Sequence, residues 1–229
     1  MSTKVMLGRS CWTSFVVDSV NRSAPERVPV AVSAFRQVAP GMPPLWHDAG
    51  LGGAPTQSDG RWHRRGVGFA QYFSLSPAGA WAELIRYFGL RSPEQVVEQR
   101  RSLWHAHVEV EDVADLSTFD RWVACGLDPM DAVSDDHAGC QRVAQGLVEQ
   151  GYRGVLAPSA ALPEAINITV FGGRYEQEAI ADPRTLARRD DRWLRVAVAA
   201  EGAHPPQVLV TRTRYRGQPH GGYEDWASP

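Results

Sequence analysis

An α+β domain is the fold class this sequence predicts, on three observations. Strand-like stretches are short and interrupted by only a few helical ones, without the regular alternation that builds a doubly wound sheet. Residues 103–110 (LWHAHVEV) alternate without a break, the mark of a strand with two unlike faces. A strand, a cap and a helix follow one another within residues 69–89, closed by Gly89. At 229 residues the chain suffices for one domain with a sizeable core, or one domain with tails.

In chain order, residues 1–30 read as an N-terminal extension, with Pro25 and Pro29 in a linker. Val30–Val38 reads as a strand. Arg36 inside it, beside Phe35, calls for a carboxylate or a ligand phosphate, or else snorkels to water. Residues 39–60 are a Pro- and Gly-rich loop of the length seen in lids and binding loops. Phe69–Leu75 is strand-like, Ser76 is an N-cap, Pro77 takes the first helical position, and the helix runs to Phe88. On a helical wheel Ala80, Trp81, Leu84, Ile85, Tyr87 and Phe88 form an apolar arc. Glu83 stands at its edge, and Gly79, Ala82 and Arg86 lie opposite.

Residues 92–101 suggest a short helix. In the 103–110 strand, His105 and His107 share a face, and a wetted face explains them better than a metal lacking further ligands. Asp112–Leu127 reads as a turn and a short helix. Residues 137–150 form a helix with Cys140, Val143, Ala144 and Leu147 as its stripe, capped by Asp135 or Asp136 and ended by Gly151. Arg153–Leu156 is a short strand running into a turn that carries Ser159. That residue is either part of a site or a plain turn serine. Ile166–Phe171, containing Asn167, is a further strand. A helix is expected over 183–192, strands over 193–199 and 207–215, and a mobile tail over 216–229.

Composition narrows the function classes. A hydrophobic share of 43%, a charged share of 22% and a net charge of −2 suit a globular domain and point to neither nucleic acid nor an anionic membrane. Positive charge is almost all arginine, Lys4 being the only lysine. Cys11, Cys125 and Cys140 are odd in number and widely spaced. That argues against a disulfide framework or a cysteine zinc site and fits a reducing cytoplasm. No apolar run reaches the length of a membrane span, and no secretory signal is expected. GxGxxG between strand and helix, GxxxxGK[ST], GxSxG and HExxH are all absent. A nucleotide here must therefore be held by arginines, aromatic surfaces and a cleft.

Several pieces in fixed order carry a resemblance. They are Phe35-Arg36, then Asp59-Gly60-Arg61-Trp62-His63, then Gln71-Tyr72-Phe73-Ser74, then Ala82-Glu83. Asp136 with Cys140-Gln141, Gly154 to Ala160 with Ser159, and Asn167 to Phe171 complete the series. Over residues 33–172 the chain resembles the RES domain family, named for arginine, glutamate and serine positions. It departs from the family pattern at His63, where asparagine is usual, and at Asp59, where glycine is usual.

The resemblance implies an ADP-ribosyltransferase-like fold, a mixed β core with a cleft for NAD+, spanning residues 31–215 here. It implies an NAD+-consuming enzyme that cleaves the nicotinamide–ribose bond by hydrolysis or phosphorolysis, the toxin of a toxin–antitoxin pair. An Xre-like antitoxin is the partner such toxins have. No metal is expected, and oligomerisation is left open. ADP-ribosyl transfer to a macromolecule is the alternative, and a non-catalytic nucleotide-binding protein a further one. Carried onto this chain, Arg36 and Arg61 clamp the pyrophosphate, and Tyr72 with Trp62 supplies an aromatic wall. Glu83 holds the ribose and stabilises the cationic transition state. Ser159 and Asn167 hydrogen-bond nearby, with Glu83, Arg61 and Ser159 as the catalytic set. No Ser–His–Asp pattern makes Ser159 an acylating nucleophile.

Overall fold

The computed structural model describes residues 23–42, 44–45, 57–172 and 192–228, with side chains over 192–197 left aside. Six strands form one sheet that closes on itself. They are β1 (Arg27–Val38), β2 (Ala70–Ser74), β3 (Arg101–Asp115), β4 (Gly154–Pro158), β5 (Ile166–Phe171) and β6 (Arg192–Ala203). β1 runs antiparallel to β3 from Arg27↔Ala114 to Val38↔Ser102, and its far edge touches β2 at Phe35↔Ser74. β2 pairs with β5 and β5 with β4, both antiparallel. β4 returns to β3 in parallel at Val113–Asp115. The circuit β1–β2–β5–β4–β3–β1 is thus complete, and β6 lies on the outer edge of β3 along Arg101–Val110.

One residue lets β3 change partners. Asp112 has φ 54, a left-handed conformation that aspartate tolerates better than most residues. It stands between the stretch paired with β6 and the stretch paired with β4. Its carbonyl accepts the Arg153 amide at 2.9 Å, and Arg27 ion-pairs its carboxylate at 3.2 Å.

Strand alternation supplies the core between the strands. Val30, Ala34, Phe73, Ala106, Val108, Val110, Ile168 and Val170 point inward, each fully buried aliphatic contributing on the order of 1.5–3 kcal/mol. On one flank lie α3 (Phe119–Ala124), a 3₁₀ turn (Pro129–Ala132) and α4 (Ala138–Glu149), packed around Trp122, Leu147 and Val155. The other flank holds α1 (Pro77–Phe88), α2 (Pro93–Val97) and α5 (Leu209–Arg212), with Leu84, Ile85, Val96, Leu103 and Leu209 at its centre. A last helix, α6 (Gly221–Ala227), stacks Tyr223 and Trp226 on Phe119 at 5.4 and 5.5 Å.

The α1 boundaries follow the expected chemistry. Ser76 accepts the Gly79 amide at 3.0 Å, Pro77 opens the helix, and Gly89 closes it with φ 64. Its faces do not follow the wheel. Arg86 is 7% exposed while Tyr87 and Phe88 are 71% and 47% exposed. The reason is that α1 is wedged from two sides. Leu84 and Ile85 face the core beside β3, and Ala82 meets Ala161, Leu162 and Ala165 of the loop after β4. That second surface turns the wheel's polar side inward.

Other differences are local. Residues 207–215, expected as a strand, carry the short helix α5. The expected tail contains α6, because its aromatic side chains find Phe119. β1 begins at Arg27, inside the expected extension. β3 continues to Asp115, where a turn is expected. The helix expected over 183–192 and the first 22 residues lie outside the described residues, except that Arg192 starts β6. Among the described residues no helix is long and apolar enough to cross a membrane.

Candidate active site

A cavity of about 360 Å³ opens where β1 meets β2, beneath α1. Five expected residues line it alongside Glu83: Arg36, Arg61, Trp62, Tyr72 and Asn167. Ser159 is fully buried and is not part of the wall.

Glu83 reaches the cavity from the middle of α1. Its Oε1 accepts two hydrogen bonds, from Ser159 Oγ at 2.8 Å and from Asn167 Nδ2 at 2.9 Å. Ser159 Oγ in turn accepts the amides of Ala161 and Leu162 at 3.2 and 3.3 Å. The hydroxyl is therefore oriented by the loop after β4 and spends its one proton on Glu83. One carboxylate oxygen is tied to the scaffold, and among the described residues Oε2 has no such partner. Gly79 makes this approach of α1 possible: a Cβ there would lie 2.0 Å from Ser74 Oγ and 3.2 Å from the Ala165 Cβ.

The Gly60–His63 turn forms the opposite wall. Gly60 and His63 bridge through Gly60 N–H to the His63 carbonyl at 3.1 Å, and Gln141 of α4 donates to the Gly60 carbonyl at 2.9 Å. Tyr72 Oη accepts the Trp62 amide at 2.9 Å and lies 2.8 Å from His63 Nδ1. A Cβ on Gly60 would sit 2.5 Å from that hydroxyl oxygen, so glycine is required here by space. Burial pushes the Tyr72 hydroxyl well above its usual value, against the Trp62 amide and Arg61. The Tyr72 hydroxyl and His63 Nδ1 share a hydrogen bond, and burial keeps the His63 imidazole below its ordinary value. His63 thus holds the tyrosine, and its Nε2 is buried without a hydrogen-bond partner among the described residues. Trp62, 4% exposed, packs against Trp122 at 6.0 Å and gives the cavity only its edge.

Arg61 is fastened by its guanidinium to three carbonyls: Asp131 at 3.3 Å, Ala132 at 3.2 Å and Ser134 at 2.8 Å. The first two belong to the end of the 3₁₀ turn, where carbonyls lack intrahelical partners and the dipole is negative, and Ser134 lies just beyond it. The bonds satisfy donors without neutralising the charge. Arg36 contacts Gln71 Oε1 at 3.3 Å, and burial lowers its guanidinium to about 10 despite the help of Tyr72.

Among the cavity-wall residues that the sequence does not mark are the basic side chains of Arg86, His137 and Arg216. Arg86 ion-pairs Asp135, which also takes Arg214 at 3.1 Å and the Gly217 amide at 2.6 Å. Burial would raise the Asp135 carboxyl, but the Gly217 amide, Arg214 and Arg86 outweigh it and hold it below its usual value. His137, at the N-cap of α4, is lowered to about 4 by burial and then by Arg61, Arg86 and Arg216, so it is neutral near pH 7. The only sequence signal for Arg86 was its place three residues after Glu83 on one helix. Nothing local marks the other two. Four arginines (36, 61, 86 and 216) thus face two carboxylates (Asp59 and Glu83) around the cavity, an excess of positive charge suited to a polyanion.

Residues 29–196 match the RES domain family model. The chain belongs to the RES domain family. Among curated proteins, this RES domain is 35% identical over 117 residues to the Probable NAD(+) phosphorylase Rv3189 of Mycobacterium tuberculosis, covering 51% of this chain and 55% of that protein. The chain thus spans about half the length of the curated relative it matches. Among solved structures, it aligns with a chain from the crystal structure of the M. tuberculosis MbcT–MbcA toxin–antitoxin complex. The TM-score is 0.52 at 20% identity, over 81% of this chain and 90% of that one. The RES match ends at residue 196, so α5, α6 and Arg216 all lie beyond it.

Proposed function

We propose that this RES protein consumes NAD+ by cleaving its nicotinamide–ribose bond. The observation that carries the reading is Glu83: a carboxylate with one oxygen pinned by Ser159 and Asn167, set in a cavity walled by arginines. Nicotinamide is a good leaving group, and breaking its bond to the ribose anomeric carbon leaves oxocarbenium character on the sugar. The bonding electron pair departs with nicotinamide, which becomes neutral. An acceptor oxygen then forms the new bond to the anomeric carbon, and when the acceptor is water it releases a proton. A fixed carboxylate stabilises the cationic sugar, and the free Oε2 is the oxygen available to the ribose hydroxyls. Arg36, Arg61 and Arg86 suit the pyrophosphate. Tyr72, locked by Trp62 and His63, bounds the ring end.

The relative named as a probable NAD(+) phosphorylase supports inorganic phosphate as the acceptor. The aligned solved chain comes from a toxin–antitoxin complex, which supports a toxin role with an antitoxin partner. The buried, unpaired Cys125 and Cys140 suit a reducing cytoplasm. Purified protein incubated with NAD+ should release nicotinamide, faster with phosphate present if phosphate is the acceptor. Glu83→Gln should cut the rate roughly 100-fold or more, in the range of removing one transition-state-stabilising group. Full activity in Glu83→Gln sinks the site assignment.

A further inference from the structure

Arg216 lies outside the family match, yet it lines the cavity. Its backbone is held on both sides. Tyr215 is buried, with its hydroxyl 2.6 Å from the Leu90 carbonyl and 2.9 Å from that of Val210. Gly217 donates its amide to Asp135 at 2.6 Å and has φ 78, a conformation glycine accepts without strain. One residue earlier, the Arg214 amide donates to the Ala161 carbonyl at 2.8 Å.

The Arg216 side chain is treated differently. It is exposed and has no ion pair or hydrogen bond among the described residues. Asp135 is already engaged by Arg86 and Arg214, and one oxygen of Glu83 is held by Ser159 and Asn167. Arg61, Arg86 and Arg216 all depress the same imidazole, that of His137, so the three charges converge. Such convergence costs free energy until an anion enters. A fixed backbone that carries an exposed guanidinium to a cationic cavity places a bidentate donor within reach of a ligand phosphoryl group, and the side chain gives up its own rotamer freedom when it binds.

We propose that Arg216 is a specificity-determining residue that contacts a phosphoryl group of the substrate or co-substrate. The inference rests on the NAD+-cleaving reading for the identity of that group, either the NAD+ pyrophosphate or a phosphate acceptor. The chemistry is shared: a bidentate arginine–phosphoryl contact.

The test uses the full chain and reads binding without turnover. Inorganic pyrophosphate and inorganic phosphate are titrated separately by calorimetry at two salt concentrations. Arg216→Ala should weaken at least one of them roughly 10- to 100-fold, as expected for losing a charged hydrogen-bonding partner. Arg216→Lys should recover part of the loss. The Arg216→Ala melting temperature should stay at the wild-type value, because the side chain touches nothing that folding depends on. Weaker pyrophosphate binding identifies the NAD+ side, and weaker phosphate binding alone identifies the acceptor side. Affinities for both within twofold of wild type overturn the proposal. A wild type that binds these anions through Arg216 yet releases no nicotinamide refutes the enzymatic reading and leaves this one standing. A wild type that binds neither anion overturns this proposal, while nicotinamide release decides the enzymatic reading separately.

Discussion

Ser159→Ala removes one oxygen atom with three partners. It deletes the 2.8 Å hydrogen bond to Glu83 Oε1 and the acceptor for the Ala161 and Leu162 amides, at a site with no exposure. A hydrogen bond to a charged group contributes roughly 1.5–3 kcal/mol, and buried amides left without an acceptor add about 1–3 kcal/mol more. At roughly 2–4 °C per kcal/mol for a chain of this size, the melting temperature should fall by about 5–24 °C. The catalytic effect is separable. Asn167 still holds Oε1 at 2.9 Å, so Glu83 is loosened and not released. A loosened transition-state contact lowers kcat by roughly 10- to 100-fold while KM for NAD+ stays within about threefold. The assay is nicotinamide release across a range of NAD+ concentrations, below the variant's melting point. An unchanged kcat with a lowered melting temperature would show that the hydroxyl only supports the loop. A rise in KM at constant kcat would place Ser159 against the substrate and refute the positioning argument.

Three further outcomes follow from the same geometry. Gly79→Ala drives a methyl to 2.0 Å from Ser74 Oγ and should destabilise by about 1–3 kcal/mol; Gly79→Ala with Ser74→Ala should melt higher than Gly79→Ala alone. Asp135→Asn leaves the buried guanidinium groups of Arg86 and Arg214 without their carboxylate and should cost about 3–5 kcal/mol, read by chemical denaturation. Stability should decline on acidification in two stages. His137 is held near 4 in the fold against 6.5 when unfolded, so the unfolded chain binds the extra proton between those values and stability is lost as pH falls from 6.5 toward 4. His63 and His220, also lowered chiefly by burial, act in the same direction. Asp135, held below 3.8, adds its loss below that value. Thermal melts from pH 8 to pH 3.5 check this, and a flat profile between 6.5 and 4.5 contradicts it.

How much of the site was legible depends on how local its chemistry is. The Ser76 cap, Pro77 and Gly89 are encoded within a few residues, and α1 starts and stops where they say. The inward set of β3 follows its alternation, with Ala106, Val108 and Val110 buried. Motif order marks Arg36, Arg61, Trp62, Tyr72, Glu83 and Asn167, and the fold gathers them around one cavity. Arg86 shows why the remainder was not readable. A helical wheel assumes one buried face, and α1 has two, because the loop after β4 packs on its far side. Arg216 had no sequence signal at all. Its significance lies in Asp135 and Tyr215 fixing its neighbours, contacts that span up to 125 residues.

By itself the sequence determined the mixed α+β class, the ends of the main helix and the inventory of arginine, tyrosine, glutamate and serine. Those properties arise from neighbours within a turn or a strand. The tertiary structure alone decided which side chains meet. It closed the sheet through the Asp112 changeover and assigned Ser159 to Glu83 instead of to the cavity wall. It also gave His63 a tyrosine to hold, and brought a C-terminal arginine to the mouth of the pocket. Hydrogen bonds and charge compensation are pairwise and blind to sequence distance, so only the folded chain determines which donor meets which acceptor.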